Sequence, residues 1–231
     1  MTALLIACAL LGFAGPQAGA AATTPAPSTA SFPGGLPATF TGELPCADCP
    51  GTRHQLNLFA DGVFYHRIVY IDRRTNLDQI GRWRLTSDGK ILALTEPSSF
   101  AVVDDTTLRQ LDREGRPIQS TLNFDLRRQT LFAPLEPRLR MDGMYRSTKE
   151  GGRFQECATG RDMPVVPQRV NRELEAAYAK AAAEKPGEPV LVSIDARLVA
   201  QGRTARENAV LLRQFIRIQP GAVCPPPGSA P

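Results

Sequence analysis

Between residues 38 and 135 the sequence consists of short segments in which apolar and polar residues alternate. Two pairs of these segments are joined by Asp61-Gly62 and by Asp88-Gly89. Alternation with a period of two is typical of β-strands, and Asp-Gly between two such runs is a strong hairpin signal. About eight or nine strands without crossover helices must close or pack as a sandwich to protect their edges, so we predict a small antiparallel β-barrel.

A second unit follows over residues 140–224, after a proline-rich boundary at Pro134–Pro137. We predict one helix in it, over residues 171–184, because Asn171 can cap its start and Pro186-Gly187 stops it. Two strand-like segments precede this helix and two longer ones follow it. This order is typical of a small five-stranded barrel of the oligonucleotide/oligosaccharide-binding (OB) type, and a two-layer α+β sandwich has the same order.

The first 20 residues have the pattern of a secretory signal peptide. The apolar run Ala3–Ala14 is followed by Ala18-Gly19-Ala20, a small-residue sequence that signal peptidase accepts. The alternative is a lipoprotein signal, in which Cys8 is the lipid anchor of an outer-membrane lipoprotein and provides the only membrane attachment. Both interpretations place the protein outside the cytoplasm, in the periplasm or cell envelope, where thiols tend to pair.

The segments at either end of the two units have the composition of flexible chain. Residues 21–37 are rich in Ala, Thr, Pro, Ser and Gly, and residues 225–231 are similar. Such sequences bury too little apolar surface to offset the entropy of ordering them. We therefore predict a flexible leader and a disordered tail.

Charge and motif content exclude several classes of function. The net charge is +4, without a block of Lys and Arg, which argues against a nucleic-acid partner. The chain also lacks a phosphate-binding loop, a Gly-x-Ser-x-Gly motif and a nucleophile with an obvious histidine partner. We therefore expect that the protein is not an enzyme.

Cys157 and Cys224 both lie in the second unit. Cys157 follows a predicted hairpin, and Cys224 lies just beyond the last predicted strand. Outside the cytoplasm a small domain of this kind usually has a structural disulfide, and closing so long a loop is worth about 4 kcal/mol. We expect these two cysteines to pair, with a redox-sensitive bond as the functional alternative.

Cys46 and Cys49 form a Cys-x-x-Cys motif in the turn Pro45–Gly51. Such a pair can be a redox dithiol, part of a metal site or a short structural disulfide. A thioredoxin-type dithiol lies at the start of a helix, whereas here a strand pattern follows. A closed zinc site needs about four ligands, and the chain offers only two histidines, one of them His54.

Copper(I) remains as a candidate because it accepts two or three soft ligands. Cys46 and Cys49, with His54 as a further candidate ligand, provide such a set when the thiols are reduced. The alternative is a disulfide that fixes the turn at the rim of the barrel. His66, beside Tyr65, is expected on the surface rather than as a ligand, and Trp83 is expected in the core.

The segment Phe40–Gly51, with its Leu-Pro-Cys-x-x-Cys-Pro-Gly sequence, resembles the opening of the NlpE family of bacterial envelope lipoproteins. The resemblance continues in the same order through Gly81-Arg82-Trp83 and Leu111–Gly115 to about residue 126. A weaker one covers Gly143–Gly160 and the closing Cys224. It implies a lipocalin-like barrel followed by an OB-type barrel, a lipidated N-terminal Cys, a metal-binding Cys-x-x-Cys and a C-terminal disulfide.

Two functional hypotheses follow. The first is a non-enzymatic envelope protein of copper homeostasis or envelope-stress sensing, with Cys46 and Cys49 as a metal-binding or redox-sensitive pair and an envelope-stress signalling protein as partner. The second is a periplasmic barrel that binds a small, lipid-like ligand and has purely structural cysteines. The first implies copper(I) as the cofactor, and the second implies none.

Overall fold

The structure is a computed structural model that describes residues 32–73, 75–95, 98–201 and 207–226. The predicted signal peptide, Cys8, most of the predicted leader and the last five residues of the tail lie outside these ranges. Within them, no helix has both the length and the apolar character needed to cross a membrane.

The first unit is a closed antiparallel barrel of eight strands, as predicted. Each strand pairs with the next along the chain, and the eighth strand pairs with the first, where Phe40 lies opposite Arg128. Gly62 and Gly89 adopt φ angles of 78° and 71° in the two Asp-Gly turns, a conformation that favours glycine. The strands are β1 (Ala38–Leu44), β2 (Thr52–Leu58), β3 (Val63–Tyr70), β4 (Asn76–Leu85), β5 (Ile91–Leu94), β6 (Ser99–Val102), β7 (Thr107–Gln110) and β8 (Asp125–Arg128).

The second unit is a five-stranded sheet with one helix. Its elements are β9 (Arg138–Thr148), β10 (Gly151–Glu156), β11 (Asp162–Pro164), α1 (Asn171–Ala181), β12 (Val190–Gln201) and β13 (Glu207–Gln219). The strand order in the sheet is β11-β10-β9-β12-β13. Just after β11, Val165 forms a parallel bridge with Val210 of β13, and this bridge brings the two outer strands of the sheet together.

The helix begins where we predicted, but Asn171 does not cap it. The residue at the N-cap position is Val170, and no side chain caps the first turn. The Asn171 side chain is buried and donates a hydrogen bond from Nδ2 to the carbonyl oxygen of Val166, 2.9 Å away. Its amide therefore fixes the loop before the helix, and the capping prediction was wrong because a cap depends on where the preceding loop packs.

The barrel core is formed by inward-facing aromatic and aliphatic side chains. Trp83 is among them, as predicted, and its Nε1 donates a hydrogen bond to the carbonyl oxygen of Phe59, 3.0 Å away. The other buried members are Phe32, Ala38, Phe40, Leu44, Leu56, Leu58, Phe64, Leu92, Leu94, Phe100, Leu108 and Leu126.

Residues 32–37, which we assigned to the flexible leader, are packed against the barrel. Phe32 is only 2% exposed, and its ring lies 5.8 Å from that of Phe40 and 6.0 Å from that of Trp83. Arg128 donates hydrogen bonds to the carbonyl oxygens of Pro33, Gly34 and Gly35. Composition averaged over the leader concealed its single large aromatic residue, whose burial offsets the entropy of ordering this segment.

The two units share a hydrophobic core, and Arg161 joins them. Its guanidinium lies 4.3 Å from the ring of Phe59, forms an ion pair of 2.8 Å with Asp61 and donates a hydrogen bond to the Tyr65 hydroxyl. That hydroxyl in turn donates to Oδ1 of Asn208. The outer face of the first half of β3 is therefore covered by the second unit, and residues 63–66 are buried on both faces of the strand.

Candidate functional site at the rim of the barrel

The Cys-x-x-Cys loop connects β1 and β2 at one rim of the barrel. The pair Leu44 and Thr52 closes the ladder directly beneath it. The amide of Ile71, just after β3, donates a hydrogen bond to the carbonyl oxygen of Gly51 over 3.1 Å. The loop is therefore held by β1, β2 and the end of β3, while Cys46 and Cys49 remain partly exposed.

Cys46 and Cys49 are joined by a disulfide, with their Cα atoms 5.2 Å apart. Oδ1 of Asp48, between them, lies 3.4 Å from Sγ of Cys46. The two sulfur atoms and a carboxylate oxygen of Asp48 all lie within 4.8 Å of one another. In the oxidised state the sulfur atoms are not thiolates and do not bind a metal, whereas reduction converts the same loop into a compact two-sulfur donor set.

Arg73 fixes the position of Asp48. Its Nη2 lies 3.1 Å from Oδ2 of Asp48 and 3.4 Å from the carbonyl oxygen of the same residue. The guanidinium also lies over the ring of Tyr70, at 5.3 Å. Both side chains of the ion pair are substantially exposed, so it orients the loop more than it stabilises the fold.

His54 does not complete the sulfur site. Its Nε2 lies 2.9 Å from the hydroxyl oxygen of Thr52, and its Nδ1 lies 3.0 Å from Nε2 of His66. Within the described ranges, the group of possible metal-ligating atoms around the cysteines contains Asp48 and not His54. The predicted set of Cys46, Cys49 and His54 is therefore not assembled as one cluster in this state.

His66 lies inside the barrel, and the prediction that it is on the surface was wrong. It is 1% exposed and sits opposite Leu56 of the barrel core. Successive strand residues face opposite sides, so His54, two residues before Leu56, also faces inward. The error arose because Tyr65, on the other face of β3, is covered by the second unit, which leaves no exposed side to reveal the alternation.

Burial keeps both imidazoles neutral. It lowers the pKa of His54 from 6.5 to about 4. It lowers the pKa of His66 to about 3, with a smaller contribution from the neighbouring His54. No carboxylate of the described residues forms an ion pair or a hydrogen bond with either ring. A buried imidazole without an anionic partner is more stable uncharged.

The motif located the two cysteines, but it did not identify their neighbours. Asp48 was visible within the motif. Arg73 reaches Asp48 only through the turn after β3, so no spacing in the sequence indicates it. The His54–His66 contact needs the register of β2 against β3.

A second disulfide joins Cys157 and Cys224, whose Cα atoms are 5.3 Å apart. It connects the turn after β10 to the segment after β13. Glu156 holds that turn, because its buried carboxylate accepts hydrogen bonds from the amides of Ala158 and Thr159. Burial raises the pKa of Glu156, while these hydrogen bonds act in the opposite direction. The disulfide thus ties the end of the chain to a well-ordered turn.

Comparison with known proteins identifies the family. The NlpE N-terminal domain matches residues 40–121, and the NlpE C-terminal OB domain matches residues 135–225. The chain is 32% identical to lipoprotein NlpE of Escherichia coli K12 over 173 residues, which cover 72% of this chain and 70% of that protein. The chain belongs to the NlpE family. The resemblance, the mainly-β fold and the OB nature of the second unit are thereby confirmed.

Two solved structures are also similar to this NlpE-family chain. The crystal structure of the Cpx pathway activator NlpE from Escherichia coli has 29% identity, covers 82% of this chain and 98% of that chain, and gives a TM-score of 0.34. The structure of a putative lipoprotein from Shewanella oneidensis has 26% identity, covers 46% and 100% of the two chains, and gives a TM-score of 0.39.

Proposed function

We propose that this NlpE-family protein acts without catalysis in copper homeostasis or envelope-stress sensing, with Cys46 and Cys49 as its responsive pair. The observation that supports it best is the half-exposed Cys-x-x-Cys loop, in which two sulfur atoms and the Asp48 carboxylate lie within 4.8 Å of one another. The oxidised loop is a disulfide. The reduced loop binds copper(I) through two thiolates.

The donor chemistry fits a soft monovalent ion. Two thiolates are ligands that copper(I) prefers, and a partly exposed loop can take up and release an ion without opening the barrel. The Asp48 carboxylate is a harder ligand, and Arg73 already holds it. We therefore assign the binding to the sulfur atoms and assign Asp48 and Arg73 to the shape of the loop.

We further propose that the protein works in the cell envelope with a signalling partner. The support is its relationship to the Escherichia coli protein, which is a lipoprotein and is described as a Cpx pathway activator. Lipidation of Cys8 would attach this chain to the outer membrane, whereas cleavage after Ala20 would release it to the periplasm. A partner that recognises the state of the Cys46–Cys49 loop would approach at the exposed rim.

The alternative, a barrel that holds a lipid-like ligand, gains no comparable support. The interior is filled around Phe40, Trp83 and Phe100, which are packed with buried leucines.

We expect the reduced protein to bind one copper(I) ion tightly at the loop. In competition with a copper(I)-selective chromogenic chelator, Cys46→Ser/Cys49→Ser should weaken this binding by about 100-fold or more, because both soft ligands are lost. All proteins carry Cys8→Ser and are reduced under conditions that leave the Cys157–Cys224 disulfide intact, so that no other thiol contributes. Asp48→Asn is the matched control and should stay within about threefold of the parent protein, since a carboxylate adds little to soft-metal affinity. Equal affinity of the parent and double-serine proteins would refute the metal-binding role.

A further inference from the structure

The two histidines of this chain meet inside the barrel, away from the sulfur atoms. Only two are present in the whole sequence, twelve positions apart, and strand pairing brings Nδ1 of His54 within 3.0 Å of Nε2 of His66. Their side chains are 8% and 1% exposed. Burying two imidazoles in an otherwise apolar core costs free energy, and a hydrogen bond between them recovers only part of it.

One imidazole nitrogen is left over. Nδ1 of His66 is buried and has no hydrogen-bond partner among the described residues. The pair is therefore incompletely satisfied as a purely structural element. Because Nδ1 of His66 takes part in no hydrogen bond with the described residues, it is free to take up the hydrogen that Nε2 of the same ring shares with His54.

We propose that His54 and His66 form a second site for a soft monovalent cation of the copper(I) type, inside the barrel and independent of Cys46 and Cys49. The ion binds Nδ1 of His54 and Nε2 of His66 and replaces the hydrogen atom that these two nitrogens now share. Two nitrogen ligands of one metal, each about 2 Å from it, lie roughly 3 to 4 Å apart, so the rings need to separate by at most about 1 Å.

The number of protons on the two rings stays the same when the ion binds, so the exchange needs no additional reactant. Each ring carries one hydrogen, and the shared one moves to the far nitrogen of the ring that holds it. No proton is released, and the oxidation state of the ion does not change. The exchange thus needs only a change of tautomer in one ring.

Thr52 supports the tautomer that His54 needs. Its hydroxyl lies 2.9 Å from Nε2 of His54 and 3.4 Å from the carbonyl oxygen of Leu44, to which it donates. It can therefore accept a hydrogen bond from Nε2–H of His54 while it keeps its own donor satisfied. A partner on the second nitrogen is what orients a metal-ligating histidine in most metalloproteins.

The absence of negative charge on the two ligands favours a monovalent ion at this site. The two ligands are neutral, and the ion pairs and hydrogen bonds of the described residues place no carboxylate on either ring. The cost of placing an ion in a low-dielectric interior rises steeply with its charge, which disfavours divalent ions here. Imidazole is also a ligand that copper accepts readily.

The test uses silver(I), which mimics copper(I) and does not change oxidation state in air. The protein is the untagged full chain with Cys8→Ser, Cys46→Ser and Cys49→Ser, so that failure of the thiol site does not affect the result. Because the chain has only two histidines, imidazole ¹⁵N spectra contain their signals alone. One equivalent of silver(I) should shift Nδ1 of His54 and Nε2 of His66 together.

Two variants separate metal binding from folding. Thr52→Val keeps both histidines and should weaken silver(I) binding by about 10- to 100-fold, as loss of a histidine-orienting partner does elsewhere. Thr39→Val is its matched control: Thr39 is also a buried threonine of the barrel, but its hydroxyl bonds to Ala133 on the other face of the sheet. It should bind silver(I) like the parent. Unshifted imidazole signals in the folded protein, or equal affinity of the two valine variants, would overturn the proposal.

Discussion

Lowering the pH from 7 to 4 is expected to destabilise the barrel by several kcal/mol, because His54 and His66 bind protons more weakly in the folded protein than in the unfolded chain. Burial lowers their pKa values from 6.5 to about 4 and about 3. At a pH between 6.5 and the lowered pKa values, the unfolded state binds more protons than the folded state, so the free energy of unfolding falls as the pH falls. The stabilisation from the two neutral histidines is fully present above pH 6.5 and declines on the order of 1.4 kcal/mol per histidine for each pH unit below it.

Urea unfolding at a series of pH values measures this effect. Trp83, the only tryptophan of the chain, is packed in the barrel core, so its fluorescence reports on the barrel directly. Carboxylates also titrate in this range, and a His54→Leu/His66→Leu variant separates the two contributions. It should lose much less stability between pH 7 and 4 than the parent protein. Parallel pH profiles of the parent and the variant would show that the histidines do not cause the acid sensitivity.

Replacing Cys157 and Cys224 by serine is expected to lower the free energy of unfolding by about 4 kcal/mol, because a 67-residue separation closes a long loop in the unfolded chain. Cys46 and Cys49 are separated by only three positions, so the same replacement there should cost about 2 kcal/mol or less. Chemical denaturation of the two double-serine variants under identical conditions compares them directly. Equal losses would contradict the loop-length argument.

The two disulfides therefore have different physical roles. The Cys157–Cys224 bond secures the end of the chain and has a large effect on the unfolded state. The Cys46–Cys49 bond closes a short, partly exposed loop that other contacts already hold, such as that between Ile71 and Gly51. A pair whose opening costs little stability is suited to change state during function.

Local signals accounted for most of the fold. Period-two alternation and the turns at Gly62 and Gly89 predicted the hairpins, because these signals depend on neighbouring residues only. The capping role given to Asn171 was wrong, and so was the assignment of residues 32–37 to the flexible leader. Both depend on what packs against a segment from elsewhere in the chain, and sequence periodicity carries no such information.

The candidate site was predictable only where a motif carried it. Cys46 and Cys49 are three positions apart in the sequence and were found by this spacing. The contact between His54 and His66 depends on a strand register, which places Leu56 opposite His66. The burial of His66 depends in addition on the closure of the eight strands into a barrel around it. Neither condition can be derived from the residues next to the histidines.

The most direct test of the functional proposal is the thiol state of each cysteine in protein isolated from the envelope without reductant. Peptides would be mapped after alkylation, with and without a copper(I) chelator, from cells grown with and without copper. We predict that Cys157 and Cys224 are paired in every sample, whereas Cys46 and Cys49 become alkylatable on chelation only in the samples grown with copper. A Cys46–Cys49 disulfide that persists unchanged in all samples would contradict the proposal.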